Sequence, residues 1–136
     1  MLVKKDAFNK IKYLDIDFFL YFEDSTFCKR LKDKGLLCYF LAKPLVKHAV
    51  SKTTGVAGSN DMTAVRAYYY ARNPLLYIKN NGNGITKFAW FLGQFLIRMP
   101  YYFIQILKQG EPSIFIIYIK GIVDGIKGKS GKAELL

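Results

Sequence analysis

The chain has 136 residues, room for one domain of ordinary size, and at 51% hydrophobic and 16% aromatic it is too apolar for a solvated coil. Twenty-one Lys and Arg against ten Asp and Glu give a formal charge of +11, which calls for an anionic partner. The basic residues are scattered, gathering at the ends of apolar segments and in "GIKGKSGK". That spread suits an anionic membrane surface and argues against nucleic acid, whose binders cluster basic residues and exposed aromatics on one element.

Met1 to Lys4 reads as the end of a buried strand. Asp6 is placed to cap a short helix through about Ile11, with Ala7, Phe8 and Ile11 on one face. "YLDIDFFLYF" predicts a loop that leads into a buried extended segment. From Asp24 or Ser25 to Lys34 the pattern is helical, with Phe27, Cys28 and Leu31 inward and Lys29, Arg30, Lys32 and Asp33 outward. Gly35 stops that helix. "LLCYFLA" then reads as a core strand, "LVKHAV" as a second extended piece and "SKTTGVAGSND" as a polar loop. Cys28 and Cys38 lack metal-ligand spacing and read as reduced core residues, one disulfide being the alternative.

A further helix runs from about Asp61 towards Lys79, with a kink or break expected at Pro74. "NNGNG" marks the clearest boundary, dividing the chain into 1–82 and a helical tail, 83–136. Within the tail, "ITKFAWFLGQFLIRMPYYFIQILKQG" nearly reaches bilayer length, but Gln94, Arg98, Pro100 and Gln105 interrupt it. Amphipathic helices lying in the interface are the first expectation, with Trp90, Tyr101, Tyr102 and Tyr118 near headgroup level. A membrane hairpin and a soluble helical pair are the alternatives. Residues 1 to 17 are mixed and charged and do not read as a signal peptide, which points to the cytoplasm or the cytoplasmic face of the membrane.

Three places carry candidate chemistry. Glu23 and Asp24 follow an aromatic run and precede a basic helix. They read either as a helix start, favoured by free N–H groups and the helix dipole, or as a base that takes a proton from a hydroxyl. His48, the single histidine, reads as a hydrogen-bonded structural residue, because a metal site needs partners beside it. Arg72 and Asn73 follow three tyrosines on the second long helix, where packing of the rings and solvation of the arginine is the simplest account.

The ordered combination "FFLYFED…FCKRLKDKG", then "KHAVSK", then "YYYARNPLLYIKNN", resembles the C-terminal half of family 2 glycosyltransferases, nearest the rhamnosyltransferase-like enzymes of polysaccharide assembly. The resemblance is strong over residues 1 to 82 and loose beyond, where "GIVDGIKGKSGK" is similar to the tail of that group. It implies an α/β fold, a partial GT-A fold, followed by amphipathic, membrane-associated helices. It further implies that Asp24 is the catalytic base of an inverting transfer from a nucleotide-sugar to a glycan or lipid-linked acceptor. Glu23 would position the acceptor or the base, His48 would complete a metal site or meet the donor diphosphate, and Lys52 would approach that diphosphate. Arg72 and Asn73 match the "RN" of the tail helix, with no role attached. The family often has Gly at the place of Lys12 or Tyr13, and Pro74 falls inside the tail helix. Asp15 and Asp17 have Asp-x-Asp spacing but lie in the acceptor loop, so the donor half and its Mg or Mn ion are expected on an N-terminal half, such as one on another chain. The fragment alone is expected to bind no metal and to be inactive, or to be a non-catalytic membrane-surface or partner-binding remnant.

Overall fold

The computed structural model describes residues 2–43 and 61–134. Six helices run through them: α1 (Lys5–Ile11), α2 (Glu23–Asp33), α3 (Ala64–Asn81), α4 (Gly84–Gly93), α5 (Met99–Gln109) and α6 (Ser113–Lys127). A π-helical turn, Gln94–Arg98, joins α4 to α5.

The expected α/β fold is overturned. The described residues contain no sheet, and strand-like pairing is limited to an isolated parallel bridge between Phe18 and Gly131. "LLCYFLA" is the clearest departure: Leu37, Tyr39, Phe40 and Leu41 are exposed, and Cys38 is exposed with them. A strand needs a neighbour for its N–H and C=O groups, and none of the described segments offers one. Leu36 alone turns inward, against the α1–α2 cluster. The other expected strand pieces, residues 2–4 and the run before Glu23, are likewise not in strands. "LVKHAV" lies outside the described residues.

Two small cores hold the chain. In the first, Ile11, Phe27 and Leu31 pack with Ala7 and Phe8, the inward faces read from the periodicity of α1 and α2. Between these helices the backbone turns sharply at Lys12, with φ 73° and ψ −70° and the Tyr13 N–H donating to the Ile11 carbonyl. That is a γ-turn, a strained shape for a lysine. The Arg30 guanidinium braces it, donating to the carbonyls of Ile11 (2.8 Å) and Tyr13 (3.0 Å).

The second core lies between α3, α5 and α6, around Ala67, Ala71, Leu75, Ile106, Tyr118 and Ile122. Helix α3 starts at Thr63, whose hydroxyl accepts from the Arg66 N–H, and continues past Pro74 without the expected break. Proline removes the N–H that the Tyr70 carbonyl would have received. Arg98 partly replaces it, reaching that carbonyl at 3.4 Å. Helix α4 begins in a reciprocal cap, Asn83 with Thr86, in the "NNGNG" segment read as a boundary.

Helix α6 lies almost against the α3 backbone because Gly121 and Gly125 present no side chain there. A Cβ at Gly121 would collide with the Tyr68 carbonyl oxygen, and one at Gly125 would stand 2.9 Å from that of Arg72. Neither obstacle is a flexible side-chain end. Gly121→Ala is therefore expected to lower unfolding free energy by about 2–3 kcal/mol, the range of overpacked sites. Gly93→Ala, where a Cβ meets nothing within 4 Å, is expected to be neutral or stabilising. Urea denaturation followed by circular dichroism measures both.

Candidate functional site

The aromatic run before Glu23 packs onto α3. Phe19 meets Tyr69 (5.9 Å between centroids), Tyr21 meets Tyr70 (4.7 Å) and Phe22 meets Tyr77 (5.6 Å). At its end Tyr21 (φ 62°) and Phe22 (φ 72°) take consecutive left-handed conformations, which cost a non-glycine residue about 1–3 kcal/mol each. Such a pair persists only where the surroundings hold it.

Asn73 does the holding. Its amide donates to the carbonyls of Leu20 (2.6 Å) and Tyr21 (2.9 Å), while its oxygen accepts from Arg72 Nε (2.9 Å). Arg72 is buried, not solvated as the simplest account of it has it. It donates to the Gly131 carbonyl (2.8 Å), and its guanidinium lies over the rings of Tyr69 (4.8 Å) and Tyr68 (5.3 Å). Gly131 in turn donates to the Asp17 carbonyl (2.8 Å), so the C-terminal segment lies along the run it helps to fix. The Tyr69 hydroxyl accepts from the Ala133 N–H (3.0 Å), a further tie to that segment. Two residues of α3 thus join the aromatic run to the chain's C-terminal stretch.

The left-handed pair launches α2 with Glu23 and Asp24 in its first turn, matching the helix-start reading. Asp24 is exposed, and its Oδ1 accepts from the Ser25 N–H (2.7 Å) and, more loosely, the Ser25 hydroxyl (3.3 Å). Glu23 is half-buried, and its Oε2 is shielded from water with no hydrogen-bond partner among the described residues. The structure therefore brings Glu23, Asp24, Arg72 and Asn73 into one arrangement. His48 and Lys52 lie outside the described residues.

For a divalent metal, the described residues offer no group of three His, Cys, Asp or Glu side chains. The Asp15 carboxylate accepts from the Asp17 N–H (3.1 Å), closing a local turn. These residues do not fit a metal centre.

Next to Tyr68 lies a buried ionic group that sequence reading did not single out. The Asp124 carboxylate accepts from the Tyr68 hydroxyl (2.9 Å) and pairs with Lys129 (2.9 Å). Burial alone raises its pKa, but the hydrogen bonds from Lys129 and Tyr68, with the charges of Lys129 and Lys120, outweigh burial and hold it below the ordinary carboxylate value. Burial, followed by the bond to Asp124, pushes the Tyr68 hydroxyl up. The available signal was the acid in "GIVDGIK", a lone carboxylate on an apolar helix.

Between the π-helical turn and α6, Gln94 donates to the Tyr118 hydroxyl (3.1 Å), and burial pushes Tyr118 up to about 12. Tyr118 is wholly buried, so it does not stand at headgroup level as expected. Arg98 lies over Trp90 and Tyr102 (5.8 Å each). Of the residues that interrupt the apolar stretch, Gln94 and Arg98 thus turn towards the protein, while Pro100 is exposed.

No family model matches the chain, and comparison with curated proteins and with solved structures finds no match either.

A depressed folded-state pKa makes Asp124 stabilising above the unfolded carboxylate value, and that contribution is lost as pH falls through the lower folded value. Asp124→Asn is therefore expected to destabilise at pH 6–7, with the gap from the parent narrowing below about pH 4. Thermal melts from pH 2 to 7 measure it, and a gap constant across that range would refute the assignment.

Proposed function

We propose that the chain is the acceptor side of an inverting glycosyltransferase, with Asp24 as base and Glu23 as the residue that orients the acceptor. The observation that carries this reading is the Asn73 clamp, which holds a strained turn so that an exposed and a half-buried carboxylate stand side by side. Asp24 takes the proton of an acceptor hydroxyl. The oxygen attacks the anomeric carbon of a nucleotide-sugar from the side opposite the nucleotide, and the nucleoside diphosphate leaves with its electron pair. Configuration inverts in that single displacement. Glu23 Oε2, short of a partner, is suited to accept from a second acceptor hydroxyl. The γ-turn at Lys12 adds support, since the family resembled in sequence often has glycine at that place and glycine suits such a backbone.

Donor binding belongs to a nucleotide-binding half outside the described residues, on this or another polypeptide, and that half would bring any metal. With such a half supplied, Asp24→Asn is expected to lower transfer by about a hundredfold or more while donor binding is kept. Radiolabelled sugar transfer and nucleotide-sugar titration measure the two, and full transfer in the variant would remove Asp24 from the role.

A second reading, a membrane-surface protein without catalysis of its own, is favoured by the outer face of α4, the π-helical turn and α5. Ile85, Phe88, Leu92, Leu96, Ile97 and Ile104 are all exposed there. No helix among the described residues is long and apolar enough to cross a membrane, so a contact through this face lies in the interface. Replacing both Phe88 and Leu92 by Glu is expected to weaken sedimentation with phosphatidylglycerol-containing vesicles by about tenfold or more. Unchanged sedimentation would show that the face does not meet lipid.

A further inference from the structure

We propose that the groove between α3, α4 and α6 holds the head-proximal segment of one acyl chain of an anionic membrane phospholipid, with its phosphate between Lys79 and Lys87. The groove measures about 180 Å³. Leu75 and Ile78 of α3, Phe91 of α4 and Ile126 of α6 make its walls apolar, and Lys79 and Lys87, both exposed, complete its lining. Among the described residues no acidic side chain lines it.

Two features select the occupant. Apolar walls next to two ammonium groups match a molecule with a hydrocarbon chain and an anionic head. An inorganic phosphate leaves the walls unused, and a neutral hydrocarbon leaves the lysines unused. Position selects the source. Phe91 and Ile126 are both partly open to solvent, and the exposed Ile85, Phe88 and Leu92 stand on the same helix as Phe91. The groove therefore opens beside the face read above as meeting a bilayer, and a lipid within that bilayer is the nearest anionic amphiphile. The proposal rests on that membrane-surface reading.

The test uses the full chain and a short-chain phosphatidylglycerol below its micelle-forming concentration, with inorganic phosphate and the matching phosphatidylcholine titrated in parallel. Calorimetric binding of phosphatidylglycerol, tighter than either comparison, is expected. Lys79→Glu with Lys87→Glu removes the anion preference, and Ile126→Trp fills the groove, each weakening binding by about tenfold. Ile126→Glu, at a half-exposed site, repeats the test should the larger ring disturb the fold, with circular dichroism as the check. Lys108→Glu, away from the groove, is expected to leave binding unchanged.

Equal affinity for inorganic phosphate would overturn the proposal, as would equal loss in Lys108→Glu. A concentration-dependent dimer abolished by Ile126→Trp would assign the groove to a second copy and overturn it too. Monomeric lipid needs no bilayer, so failure here leaves the vesicle result for the outer face standing, and the two ideas fail separately.

Discussion

A buried guanidinium without a carboxylate directly against it governs how the described chain is held together. An isolated buried charge is costly. Arg72 is held instead by the Asn73 oxygen, the Gly131 carbonyl and the faces of two tyrosines, while its Nη2 has no hydrogen-bond partner among the described residues. Negative charge stands one residue away, because Tyr68, over which Arg72 lies, donates to Asp124. Asn73 then has its oxygen engaged by Arg72, which leaves its NH2 to face the carbonyls of Leu20 and Tyr21. The orientation of the amide, and with it the left-handed turn ahead of Glu23, follows from where the arginine sits.

The close approach of α6 to α3 serves the same group. Without side chains at Gly121 and Gly125, Asp124 lies between them and close to Tyr68. The Lys129 ammonium reaches back to Asp124, and its N–H donates to the Asp124 carbonyl, which turns the chain after α6 towards Arg72. Helix packing, ion pair and C-terminal segment therefore depend on one another.

The helices were legible in the sequence where the period was clear. The inward faces of α1 and α2 follow from spacing and are found in place, Cys28 excepted, but neither helix has a side-chain cap: α1 starts after Lys4, not at Asp6, and α2 after Phe22. The strand reading of "LLCYFLA" failed because an apolar run reports hydrophobicity without reporting whether a neighbouring strand exists. The break offered at Pro74 is absent for a related reason, since its cost depends on whether another group reaches the orphaned carbonyl, and Arg98 is 24 positions further along the chain. Of the site, Glu23 and Asp24 were legible as a helix start. The partners of Arg72 and Asn73 were not, because those contacts span more than fifty residues in sequence, and a local pattern holds no trace of them.

The same distant contacts bear on why two acids stand together beside an aromatic wall. A helix start by itself needs neither the wall nor a strained entry, since an ordinary serine or aspartate cap satisfies its free N–H groups at less cost. Here the cap position is Phe22, which offers no side-chain acceptor, and the strain of two left-handed residues is borne by Asn73. The outcome is geometric. Glu23 is driven half into the protein with one oxygen unpartnered among the described residues, while its neighbour Asp24 stays in solvent. Stability alone disfavours that division, because an unpartnered buried carboxylate oxygen costs more than a solvated one. In the reading proposed above, one acceptor hydroxyl would donate to Glu23 and a second would lose its proton to Asp24, which would give the division a purpose.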